Sequence, residues 1–319
     1  MSSDKIVLVT GAAGFVGSHL VEYFLSRGYS QVHGTTQKPD TWLTATLGDK
    51  AHVLDLTDPE AVDALVEVIR PDWIVHLAGI ASVESSFQNA WPLLETNLKL
   101  QYVLLESVRK SIPQARFLSI SSATIYGEAV ASAGDLVPES LQPEPNNPYA
   151  LSKWNQEILG LAYRRMYGLD VITVRPFNQV GPRQTGAFAI PAFAQQVVQV
   201  ERGQKQSVEV GNLEAERDFT DVRDAAQAYE LLLEHGVAGE IYNLGRGQGV
   251  KMQAVLDLLI QQSGKNIPVE IDPSRLRPVD VPRFVADNQK LRALGWKPHI
   301  SLEQSLKDIM EYERNKENS

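Results

Sequence analysis

The pattern of apolar and polar positions changes character once along the chain. Through the first half, short β-branched runs alternate with stretches of helical period. Ile6–Thr10, Gln31–Thr36, Ala51–Leu54, Trp73–Leu77, Arg116–Ser121 and Asp170–Arg175 predict strands. Phe15–Ser26, Pro59–Ile69, Pro92–Lys110 and Pro148–Tyr167 predict the helices between them, and Gly28 stands where a left-handed C-cap is expected. Strands separated by helices of roughly 10–20 residues imply an α/β fold, a doubly wound parallel sheet with helices on both faces.

After Pro176 the sequence becomes rich in turns, as in Gly181-Pro182-Arg183-Gln184-Thr185-Gly186. Val208–Val210 and Ile241–Leu244 read as short strands around a helix from about Asp224 to His235. Met252, Val255, Leu256 and Leu259 share one helical face. Ser301 and Gln304 form a capping box ahead of Leu302, Leu306 and Ile309. Asn315–Ser319 carries no pattern and reads as a disordered tail.

Composition narrows the partners. The net charge of −9 repels a phosphate backbone at long range, so no nucleic acid is expected and any anion must be met locally. No apolar run approaches the ~18 residues of a membrane span, and the N-terminus lacks the pattern of a signal peptide. The chain has no cysteine, which excludes disulfides and thiolate metal sites and suits a reducing cytoplasm.

Two motifs carry chemistry. Gly11-Ala12-Ala13-Gly14-Phe15-Val16-Gly17 joins the first strand to the first helix. Its glycines permit a tight turn, close approach to a pyrophosphate and close helix–strand packing, while the helix N-terminus offers free N–H groups to the anion. The second motif places Tyr149 and Lys153 four residues apart on one helical face, with Ser122 just after the fifth strand, at the sheet edge where ligands bind. A phenol of reference pKa ~10 next to an ammonium is expected to ionise more easily and to exchange a proton with a carbonyl or hydroxyl oxygen.

The G-x-x-G-x-x-G spacing together with Ser122, Tyr149 and Lys153 resembles the extended short-chain dehydrogenases/reductases, and the resemblance spans nearly the whole chain. It implies a Rossmann cofactor domain, residues 1–174 plus 213–246, and a smaller α/β nucleotide-sugar domain, residues 175–212 plus 247–319. It assigns Gly11, Gly14, Phe15, Val16 and Gly17 to the pyrophosphate, Asp55 and Leu56 to the adenine, and Leu77, Ala78 and Gly79 to the turn beneath the dinucleotide. Tyr149 and Lys153 also face the nicotinamide ribose, and Asn97 resembles the asparagine that shapes the site. Thr35 stands where NAD enzymes place an acid, and Lys38 follows it. NADP(H) is therefore preferred, with NAD(H) the alternative.

Asn178 and Arg217 resemble residues that meet a sugar-nucleotide diphosphate. Arg277 and Asp280 complete that pattern, which looks most like the branch handling GDP-mannose derivatives. Thr124 separates the chemistries, since the resembling dehydratases carry a glutamate there. The resemblance thus implies a GDP-sugar substrate, NADPH-dependent reduction of a C4 ketone in GDP-4-keto-6-deoxy-mannose, and a homodimer. A 4-epimerase, a 4,6-dehydratase and a cofactor-sensing regulator are the other readings.

Overall fold

The computed structural model describes residues 4–81, 87, 89–275 and 281–316. Seven parallel strands form the main sheet. They are β1 (Ile6–Thr10), β2 (Gln31–Thr36), β3 (Ala51–Val53), β4 (Trp73–His76), β5 (Arg116–Ile120), β6 (Asp170–Pro176) and the late strand Ile241–Leu244. Their order across the sheet is Ile241–Leu244, β6, β5, β4, β1, β2, β3, so the winding reverses between β4 and β1. In open α/β sheets ligands bind outside the carboxyl ends of the strands at that reversal.

Alternation along each strand builds two cores. Val7 and Val9 of β1 join Trp73 and Val75 of β4, Phe24, Tyr29 and Tyr229 on one face. Leu8 and Ile74 join Phe117, Leu104 and Val171 on the other. Each fully buried side chain of this size contributes ~1.5–3 kcal/mol. Helix α1 (Phe15–Ser26) and the helix Val222–His235 cover the first face. Three helices cover the second: α3 (Pro59–Ile69), α4 (Ala90–Ser111) and α5 (Pro148–Tyr167). Helix α5 starts where it does because Pro148 occupies its first turn and Asn147 Oδ1 accepts from Ala150 N at 2.8 Å.

Among the described residues three helices escape the sequence pattern, one of them the short Gln289–Ala293. Thr41–Leu47 (α2) is short and rich in threonine, and it is fixed by Asp40, whose carboxylate accepts from Leu43 N at 2.7 Å. Ala189–Glu201 contains Pro191, which sits in the first turn, where no intrahelical N–H bond is lost. The last helix runs Leu302–Asn315, so Asn315 is helical, with Ser301 accepting from Gln304 N at 3.2 Å. The rest of the tail predicted as disordered, beyond residue 316, lies outside the described residues.

A second unit has its own core, with Val197, Val210, Leu256, Leu259 and Ile309 among its buried residues. Asn178–Val180, Gly249–Lys251 and Arg283–Phe284 pair with the strand Glu216–Asp221, and Val208–Val210 pairs with Val269–Ile271. The strand Glu216–Asp221 falls inside the segment the sequence places in the cofactor domain, yet its hydrogen bonds belong to this second sheet. Among the described residues, no helix is long and apolar enough to cross a membrane.

Candidate active site

The glycine turn is built as a cradle. Gly11 has φ +68°, and a Cβ on Gly17 would lie 2.2 Å from Gly11 O, so only glycine lets α1 close onto the turn. Helix α1 has no capping side chain and no acid in its first turn, which leaves its leading N–H groups and positive end to an anion. Thr10, the last residue of β1, accepts from Leu77 N and Ala78 N, both at 3.1 Å. That bond holds the Leu77–Gly79 turn against Gly11, bringing two of the predicted cofactor segments together. With both backbone donors on its oxygen, Thr10 gives its own proton to His76 Nδ1 at 2.9 Å. His76 is therefore neutral, and burial with the nearby Lys153 charge lowers it to about 3.

A dinucleotide fits these residues: a backbone cradle that no Cβ could enter, an uncapped helix start, and a second turn locked beside it. A cavity of about 200 Å³ adjoins the cradle, lined by Ala13, Gly14, Phe15, Trp42 and Arg183 among others. Arg183 lies over the Trp42 ring at 5.6 Å and pairs with Glu22.

The end of β2 departs from expectation. Thr35 is fully buried beneath the turn, where its carbonyl accepts from Ala12 N at 2.9 Å. The side chains that reach the surface are Thr36, half-buried, and Gln37 and Lys38, both exposed. Strand alternation explains the one-residue displacement. An aspartate at position 35 would be a buried carboxylate and not a ligand for a ribose. Leu56 likewise packs in the core, while exposed Asp55 accepts from Thr57 N at 2.8 Å.

The Ser–Tyr–Lys group assembles at the carboxyl ends of β5 and β6. Ser122 caps a 3-10 turn, Ala123–Tyr126, and its oxygen accepts from Thr124 N at 3.2 Å and Thr124 Oγ1 at 2.9 Å. Gly127 ends the turn at φ +50°, where a Cβ would strike the Glu144 carbonyl oxygen. With two donors on its oxygen, the Ser122 hydroxyl donates onward to the Tyr149 phenol, the contact that holds down the phenol's pKa. Burial outweighs it, and Tyr149 stands at about 12. This reverses the expected lowering by Lys153. The Lys153 ammonium donates to Ile120 O at 2.9 Å, and burial brings it down to about 8. At neutral pH the pair is thus a protonated phenol beside an ammonium.

Asn97 braces the site from α4. Its Oδ1 accepts from Ile80 N at 2.8 Å, and its Nδ2 donates to Ile80 O at 3.1 Å and Ser152 Oγ at 3.0 Å. On the opposite side, Asn178 Nδ2 donates to Asp218 O at 3.1 Å. Arg217, half-buried, donates to the carbonyls of Glu216 and Val281, each at 2.8 Å. Arg277 and Asp280, predicted to contact substrate, lie outside the described residues. Sequence reasoning missed Thr10, His76, Gln179 and Tyr229. Gln179 Nε2 donates to the Tyr229 hydroxyl at 2.6 Å beside the Asn178 strand. Thr10 and His76 carry the signal of standing at strand ends.

Known proteins share this architecture. A GDP-6-deoxy-D-mannose reductase of Pseudomonas aeruginosa is 35% identical over 306 residues, 95% of this chain and 95% of that protein. The structure of RMD from Pseudomonas aeruginosa complexed with NADPH superposes with a TM-score of 0.86 at 32% identity, covering 98% of this chain and 99% of the other. A UDP-glucose 4-epimerase of Thermus thermophilus, in complex with NAD, reaches 0.84 at 31% identity over 97% and 98%. The model of the GDP-mannose 4,6 dehydratase family matches residues 8–309. With the glycine cradle and the Ser122–Tyr149–Lys153 group in place, the chain belongs to that family, within the extended short-chain dehydrogenases/reductases.

Proposed function

We propose that this protein reduces the C4 ketone of GDP-4-keto-6-deoxy-mannose, with NADPH as reductant and GDP-rhamnose as product. The observation that carries the reading is Thr124. A 4,6-dehydratase must remove a proton from C5, which needs a base besides the tyrosine. Thr124 has no such group, and its hydroxyl donates to Ser122. Glu128, the nearest carboxylate along the chain, is exposed beyond the Gly127 turn. The Pseudomonas relatives, one described as a reductase and one bound to NADPH, support the same reading.

The dinucleotide, held by the glycine turn and Leu77–Gly79, would supply the hydride. The chain's own residues supply the proton and the geometry. Tyr149, neutral up to about pH 12, is in the form that donates a proton to the oxygen at C4. Ser122 donates its hydroxyl proton to the Tyr149 phenol, and Thr124 holds it in that orientation. The Lys153 charge favours the phenolate left behind. Asn178 and Arg217 stand on the side assigned to the diphosphate. For the cofactor, β2 ends without a carboxylate, and Thr36, Gln37 and Lys38 face outward, which favours NADPH over NADH.

Supplied with the 4-keto sugar, the purified protein is expected to oxidise NADPH one-to-one with product, and NADH more slowly, followed at the nicotinamide absorbance. GDP-mannose alone should remain unchanged. Release of a 4-keto sugar from GDP-mannose would sink the assignment, and exchange of C4 epimers without net cofactor use would point to an epimerase.

A second copy of the chain is the partner this reading expects. Leu98, Tyr102, Leu151 and Ile158 are exposed on α4 and α5, which pack on each other through their buried faces. Apolar exposure concentrated on one helix pair marks an interface. Ile158→Arg should shift sedimentation from dimer to monomer. Wild type sedimenting as a monomer at micromolar concentration would refute the dimer.

A further inference from the structure

Helix α5 carries a third functional group one turn beyond Lys153. Glu157 meets Arg175 of β6 in a two-pronged ion pair, Nε to Oε2 at 3.0 Å and Nη2 to Oε1 at 2.5 Å. Both side chains are 3% exposed. An ion pair so deeply buried gains little over apolar residues of the same volume, because desolvation of both charges offsets their attraction. Its retention is better explained by what it holds in place.

Arg175 makes a further contact. Its Nη1 donates to the Tyr126 hydroxyl at 2.8 Å and to Glu139 O at 3.1 Å, and the guanidinium lies 4.8 Å from the centre of the Tyr126 ring. Tyr126 passes its own proton to Asn243 Oδ1 at 2.8 Å, and Asn243 Nδ2 donates to Val137 O at 2.8 Å. Tyr126 is fully buried and is the last residue of the 3-10 turn that begins at Ser122. The network therefore spans two elements: the helix bearing Tyr149 and Lys153, and the turn bearing Ser122 and Thr124.

We propose that Arg175, Glu157 and Tyr126 are positioning residues that fix the Ser122 turn against α5, and so set the hydrogen bond between Ser122 and Tyr149. The anchor is polar and directional where an apolar contact would let the turn rotate. Rotation about the turn axis would carry Ser122 away from the phenol while leaving the backbone fold intact. Misplacement of a reacting group by about 1 Å costs on the order of 10²-fold in rate. The inference rests on Ser122 and Tyr149 being the proton-transfer pair, and not on the identity of the sugar.

The test is Tyr126→Phe, which keeps the ring under Arg175 and removes the hydroxyl. Carbon-13 NMR of ζ-labelled tyrosine, assigned by Tyr149→Phe, reads the Tyr149 environment without substrate. The Tyr149 resonance should move in Tyr126→Phe in the same direction as in Ser122→Ala, and the double variant should move no further. With the 4-keto GDP-sugar, kcat should fall roughly 10–100-fold while NADPH affinity stays within about threefold, and Ser122→Ala should cost much less in the Tyr126→Phe background. An unmoved resonance with unchanged kcat, or strictly additive losses, overturns the proposal. Should Tyr126→Phe fail to fold, Arg175→Lys serves instead, since lysine keeps the charge beside Glu157 but lacks the fork that also reaches Tyr126. A shifted resonance in a protein whose wild type does not reduce the keto sugar would refute the substrate and leave the positioning role standing.

Discussion

Phenylalanine at position 149 is expected to abolish nearly all turnover, lowering kcat by about 10²–10⁴-fold, while NADPH affinity changes by no more than a few-fold. The reason is a division of labour. In the proposed function the glycine cradle and the Leu77–Gly79 turn hold the dinucleotide, whereas the phenol donates to the sugar oxygen. Because burial keeps Tyr149 protonated at about 12, the wild type holds its acid form over the whole working pH range. Removing the hydroxyl therefore removes a group that is fully in its active state. Steady-state kinetics with titration of NADPH fluorescence checks both parts, and a variant retaining more than a tenth of wild-type kcat would rule out proton transfer by Tyr149.

The second large effect is on stability. Glu157→Ala strands the Arg175 guanidinium in the core and should cost about 3–5 kcal/mol. In denaturant titrations this appears as an earlier midpoint. The paired change, Glu157→Leu with Arg175→Met, removes both charges and should recover most of the lost stability without recovering activity. A cost below about 1 kcal/mol for Glu157→Ala would mean that water reaches the pair.

What was legible in the sequence follows from what has a period or a fixed spacing. The strand and helix runs up to Pro176 have strong periodicity, and their bounds shift by a residue or two at most, as at Ala90–Ser111 against the predicted Pro92–Lys110. The glycine turn and the Tyr149–Lys153 stripe were readable because each is local. The second sheet was not, because Glu216–Asp221 finds its partners in segments near 178, 250 and 283, and short strands of that kind carry little pattern of their own. Thr35 was misplaced because a one-residue offset in a strand reverses the face of its side chain. The direction of the Tyr149 shift was missed for another reason. Adjacency to Lys153 is visible in sequence, but the full burial of the phenol that raises its pKa is a product of tertiary packing.

The edge strand Ile241–Leu244 has a consequence for how this protein comes into being. It pairs with β6, although the chain has by then left the main sheet, built Glu216–Asp221 into the other unit and returned. During synthesis the first 176 residues can emerge and collapse with one sheet edge still bare, exposing the backbone groups of β6 to any other strand nearby. That edge closes only when the later segment arrives, so neither unit is finished before the other has begun. The two units are therefore interlocked in assembly order, and cutting the chain near Pro176 should yield a six-stranded sheet with a bare, aggregation-prone edge in place of a free-standing cofactor domain.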